Sequence, residues 1–188
     1  MHVVQVKGAA VTSRIRYVRE RFGESALGRL EQALPDKDRA YIEGRVLSSQ
    51  WVPYELFIDL IVQTDALFGR GDLGLCRDMA RFSAEVNLKT VYRIFFRFGT
   101  PAFILKRAAR LWDMHYDSGR LDVHDDAPGH TRLLIEGFAQ PHRAHCLSVL
   151  GWAERSAELS GARVRRAEET RCRTRGDPVC ELVLDWTV

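Results

Sequence analysis

The hydrophobic period of this chain first changes at Asp117-Ser118-Gly119, and that change most constrains what it can fold into. Before it, apolar residues recur at the three- and four-residue spacing of a helix face. Val11, Ile15, Val18 and Phe22 form the first stripe, stopped at Gly23; Leu27, Leu30 and Leu34 form a second that halts at Pro35. Residues 46–53 are poor helix formers, and a Pro-started helix follows over Tyr54 to Phe68. Asp72 is placed to cap a helix carrying Leu75, Met79 and Phe82, another helix is expected over 88–98, and Thr100-Pro101 restarts the pattern to about Tyr116. After Gly119 the period falls to two. Leu121 and Val123 alternate with polar neighbours, Asp126-Ala127-Pro128-Gly129 turns the chain, and residues 131–138 return. A helix over 141–159 and a last hairpin (163–172 and 179–186) complete the order. The expectation is an α+β fold, with N-terminal helices followed by a β-β-α-β-β unit that forms an antiparallel sheet.

A length of 188 residues, 46% of them hydrophobic, suits one domain over 1–188 and excludes global disorder. The formal charge of +3 is too small to call for nucleic acid. No charged segment followed by a sustained apolar stretch opens the chain, and the most apolar stretch, Tyr54 to Leu67, is interrupted by Glu55, Asp59, Gln63 and Asp65. A cytoplasmic protein without a membrane span is expected.

Four cysteines in such a chain are too few for a disulfide framework. Three of them, Cys146, Cys172 and Cys180, fall in the last quarter. Cys172 and Cys180 flank the turn of the final hairpin, and Cys146 lies early in the helix that should pack on the same sheet, so the three thiols can converge. Tetrahedral zinc takes thiolate, imidazole or carboxylate, and the fourth ligand would come from Glu168, Glu169, His145 or His142. Two plainer readings stand beside this one: small buried hydrophobes, or a disulfide across the hairpin. Cys76, beside Leu75 and Met79, reads as core.

The stretches Cys146-Leu147-Ser148-Val149-Leu150-Gly151-Trp152, Glu169-Thr170-Arg171-Cys172 and Gly176-Asp177-Pro178-Val179-Cys180-Glu181-Leu182 resemble the 4-vinyl-reductase domain, most strongly over 119–186. That small-molecule-binding domain is related to bacterial nitric-oxide-signalling proteins and to subunits of the TRAPP vesicle-tethering complex. Its phenol-sensing members hold structural zinc through a Cys, then Glu-x2-Cys, then x7-Cys, and Cys146, Glu169, Cys172 and Cys180 repeat that spacing. Glu169 and Cys172 are three apart, so a regular strand would turn them to opposite faces. A bulge is required if Glu169 is the ligand; otherwise Glu168 or His145 replaces it. The whole chain also resembles a myxobacterial family of unknown function.

The resemblance implies a pocket between helices and sheet. Its candidate lining is Phe95, Phe96, Phe98, Phe103, Trp112, His115 and Tyr116, although aromatics at helical spacing equally pack plain core. The places that hold the phenol oxygen in phenol sensors are Arg97 and Asp125 here, so phenol is not implied. His142 and His145 read as exposed or as helix caps. Arg163, Arg165, Arg166, Arg171, Arg173 and Arg175 make the last hairpin a basic, solvated edge. No nucleophile–base motif or phosphate loop occurs, so no catalysis is expected. The reading is a non-enzymatic sensor with a structural zinc and a small apolar ligand, signalling through a protein partner or a homodimer. The alternative is an interaction scaffold without a ligand, similar to the tethering-complex subunits.

Overall fold

The computed structural model describes residues 3–91 and 100–188, with side chains described outside 87–91. The fold is α+β, as the change of period implies. Strand β1 (Gln5–Lys7) leads directly into α1 (Gly8–Phe22), followed by α2 (Glu24–Ala33) and α3 (Asp36–Glu43). Strand β2 (Trp51–Pro53) then pairs antiparallel with β1 before α4 (Tyr54–Phe68) and α5 (Gly74–Val91). This small ribbon was not legible as strand, because three-residue segments show no period. Val6 and Val52 are nonetheless fully buried at its centre.

Asp65, itself buried, accepts hydrogen bonds from the backbone N–H groups of Leu73 and Leu75, both at 2.9 Å, which fixes the start of α5. Described as far as Val91, α5 has no break where a new helix was expected to begin; the rest of that expected helix lies outside the described residues. After α6 (Pro101–Ala109) the expected continuous helix to Tyr116 gives way to a short 3-10 turn at Trp112–Met114. Among the described residues no helix is long and apolar enough to cross a membrane.

The second sheet holds β3 (Arg120–Ala127), β4 (His130–Glu136), β5 (Arg163–Arg171) and β6 (Cys180–Thr187) in the order β3-β4-β6-β5, antiparallel throughout. Strand β5 is therefore an edge, and its arginines are exposed along it. Helix α7 (Arg143–Leu159) lies between α5 and this sheet. Its approach to α5 depends on Gly151: a Cβ there would stand 2.2 Å from the carbonyl oxygen of Arg77. Leu133, Ile135, Leu182 and Leu184 from the sheet meet Leu150, Ala153 and Ala157 from α7 in the core.

Candidate functional site

The first turn of α7 is where the chemistry gathers. His142 caps it, its Nδ1 accepting from the Ala144 N–H at 3.1 Å. The next turn turns Cys146 toward the sheet. The sulfurs of Cys146, Cys172 and Cys180 all lie within 4.8 Å of one another, all buried and none in a disulfide. Three thiolates on one tetrahedral ion, each at about 2.3 Å from it, stand roughly 3.8 Å apart, so small side-chain adjustments would suffice. Cys146 donates to Cys180, which holds the Cys180 thiol down to about 6 and pushes the Cys146 thiol up. Burial, with the nearby Glu169 carboxylate, raises Cys172.

Strand β5 carries a bulge of the kind that Glu169 as a ligand would require. Glu169 pairs with Leu182 and Arg171 with Glu181, leaving Thr170 as the extra residue. The Glu169 side chain is thereby only 3% exposed; its Oε2 accepts from Arg143 Nε and Arg175 Nη1, each at 3.1 Å, and its Oε1 has no partner. Its carboxylate stays outside the 4.8 Å set of sulfurs. Glu168 points outward, 46% exposed and paired with Arg166.

His145 faces the other way. It is 1% exposed, inside a shell of five aromatic rings: Phe138 at 4.7 Å between centroids, Tyr116 at 4.8, Tyr54 at 5.4, Trp112 at 5.8 and Phe57 at 6.4. Burial holds its imidazole neutral, down to about 3, with His142 and Arg14 adding to the effect. The expectation that His145 is exposed or a cap is thus wrong. The helix start is apolar on both sides, from Ala144 through Leu150, which was the available signal. Arg14 of α1 is buried alongside, its guanidinium 5.4 Å over the Phe57 ring. It donates to the hydroxyls of Ser13 (3.0 Å), Ser83 and Ser148 (2.7 Å), and burial lowers it to about 10.

Of the expected pocket residues, Trp112 and Tyr116 stand in this shell. Phe103 is 51% exposed on α6 and His115 is exposed, so neither lines it; Phe95, Phe96 and Phe98 lie outside the described residues. Among the described residues, six buried side-chain atoms lack a hydrogen-bond partner, and they fall at three places. Glu169 Oε1 is beside the thiols. Arg14 Nε and His145 Nε2 are in the interior. Tyr54 Oη is in the interior too, near Tyr116, Cys146 and Cys180, while Asp38 Oδ2, behind Asp59, and Gln140 Oε1 are at or behind a surface cleft. Natural proteins leave few such atoms, because each costs about 1–3 kcal/mol.

Comparison with solved structures places this geometry. An H-NOX protein from S. oneidensis in the Fe(II)NO ligation state matches with a TM-score of 0.74 at 12% identity, over 97% of this chain and 99% of that one. The chain has the H-NOX fold. The Fe(II) unliganded A71G mutant H-NOX protein from K. algicida matches with a TM-score of 0.71 at 12% identity, over 97% of each chain. A structure described as modulating haem redox potential through protein-induced porphyrin distortion matches at 0.63 and 13%, over 97% and 99%. No family model and no curated protein matches, so the 4-vinyl-reductase and myxobacterial resemblances gain no support there. The expected structural zinc is corrected as the cofactor: the H-NOX structures named here are described by iron and haem, not zinc. What this chain itself presents is a group of three free thiols.

Proposed function

We propose that residues 1–188 form one non-enzymatic sensor domain that holds a small, largely apolar molecule against His145. The observation that carries this reading is the unpartnered Nε2 of a neutral, fully enclosed imidazole, with the unpartnered Nε of Arg14 in the same interior. A ligand with one polar group would supply the missing hydrogen bond while its apolar body met the rings of Trp112 and Phe138. The H-NOX fold supports a sensor over an enzyme, and none of the structures named here supports a ligand-free scaffold.

Haem was tested against the residues present. The donor chemistry fits in one respect, since a neutral imidazole with a free nitrogen is an axial ligand for haem iron. The surroundings do not fit: five rings close on His145 at 4.7–6.4 Å, where a porphyrin needs an open slot. The ligand is therefore smaller than haem, and no step runs through iron.

In the same reading, Cys146, Glu169, Cys172 and Cys180 bind one soft metal ion that ties α7 to the last hairpin. The grouped sulfurs, the bulge at Thr170 and the unpartnered Glu169 Oε1 support this. Four protein ligands would leave no open position for chemistry. Output would pass through a protein partner or through a homodimer built on the N-terminal helices, since β5 presents an arginine-lined edge.

Native mass spectrometry of the purified chain, with elemental analysis and an absorption spectrum, tests all of this. Expected are an organic adduct released on denaturation and lost in His145→Leu, about one transition-metal ion per chain that Cys172→Ser loses, and no Soret band. A bare protein mass would sink the sensor reading. A Soret band would replace its ligand with haem.

A further inference from the structure

Arg14 is 6% exposed, with its guanidinium over the Phe57 ring. Its Nη1 donates to Ser13 and Ser83 and its Nη2 to Ser148, three hydroxyls that are themselves buried and carry no charge. Burial lowers the guanidinium to about 10, so at neutral pH it remains a full cation. The titratable groups that act on it are Tyr116 and Cys76, each pushed up to about 12 and therefore neutral. Among the described residues no carboxylate stands against it, and residues 1–2 and 87–99 contain no Asp or Glu. Arg81 and Arg155, both more exposed, show the contrast: each meets Glu158, at 2.9 and 2.8 Å.

A buried cation ordinarily comes with its anion, because surroundings of low dielectric penalise a lone charge heavily. Serine dipoles and a ring face offset part of that penalty. Two further observations point to a ligand as the missing anion. Arg14 Nε is buried without an acceptor, and His145 Nε2, in the same interior, has no partner. The two side chains are electrostatic neighbours, since Arg14 is one of the groups that hold His145 neutral. Arginine Nε–H is a donor, and so is a neutral imidazole with its proton on Nε2. Two donors, one of them cationic, suit the two oxygens of a carboxylate; a phosphate or sulfate needs more N–H groups than remain. The rings around His145 suit a carbon skeleton. We propose that the interior molecule is a small monocarboxylate with an apolar body, its carboxylate shared between Arg14 and His145. This inference rests on the sensor reading above and names the chemical class of its ligand.

The test is isothermal titration at pH 7.5 of the full chain, dialysed to a bare native mass, with benzoate and with its uncharged isostere benzamide. One saturable site for benzoate is expected, at least about tenfold tighter than for benzamide and at least about tenfold weaker in Arg14→Gln. The Arg14 Nε–H resonance of the unaltered chain should shift on binding, which keeps the test informative if the variant fails to fold. Equal affinity for benzamide would overturn the proposal. So would undiminished affinity in a folded Arg14→Gln, an unmoved Arg14 signal, or no binding of benzoate below about 10 mM. Chloride moving the Arg14 signal at the concentrations where benzoate does would also overturn it, because the site would then take any anion. An adduct of the purified chain that proves to be an uncharged molecule would sink this inference and leave the sensor reading standing.

Discussion

Asp38 holds its proton to about pH 6 because burial, and then Asp59 opposite it, penalise its charge. A folded pKa above the unfolded value of 3.8 means that the native state binds more protons through that window, so stability falls as pH rises from about 4 to about 6. Asp38→Asn should therefore raise the unfolding free energy at pH 7.5 by on the order of 1–2 kcal/mol, with no gain near pH 4; urea melts at both pH values check it. Arg14 poses the opposite problem, a buried cation that, among the described residues, donates to serine hydroxyls and lies over the Phe57 ring. Ser148→Ala removes one acceptor and should cost about 1–3 kcal/mol in the same assay. The three cysteines were legible at this scale because their spacing survives any packing. His145 was not legible from the residue alone: the apolar run from Ala144 to Leu150 was the one local signal, and the rings of Tyr54, Phe57 and Phe138 that enclose it come from segments distant in sequence.

Strand parity decides which carboxylate is buried on the thiol side of β5. In a regular β5, Glu168 would share a face with Cys172, yet it pairs outward with Arg166 while Glu169 is buried. The extra residue at Thr170 reverses the parity. The spacing called for a bulge between Glu169 and Cys172 only if Glu169 was to share the face of Cys172; pairing with β6 is what sets it there. The same limit hid the β1–β2 ribbon, whose three-residue strands are held by each other rather than by a period. Helix stripes such as Val11, Ile15 and Val18 were readable because a core face repeats over several turns. Where α7 meets α5 the contact is backbone to backbone. Gly151→Ala should lower stability by about 1–3 kcal/mol, since its Cβ would meet the Arg77 carbonyl. Gly28→Ala, in open space within α2, should instead add about 0.5–1 kcal/mol. Thermal melts of the two variants make the comparison.

At the scale of the whole molecule, helices followed by an antiparallel sheet were legible from one change of period, and the H-NOX likeness confirms that order. The proposed ligand seat was not, since the aromatic shell is assembled from α1, α4, the turn at Trp112 and the start of α7. Stripping metal from the proposed thiol site with a chelator should lower the thermal midpoint by roughly 5 °C or more, read by calorimetry before and after. Cys146 and His145 are consecutive residues of one helical turn, one facing the sulfurs and the other the aromatic shell. Occupants of the two proposed sites, each setting the pose of the same turn, would be bound by reciprocity: whatever factor a metal added to the affinity for an interior molecule, that molecule would return to the metal. With both proposed sites filled, a change in the supply of either occupant would be felt at the other.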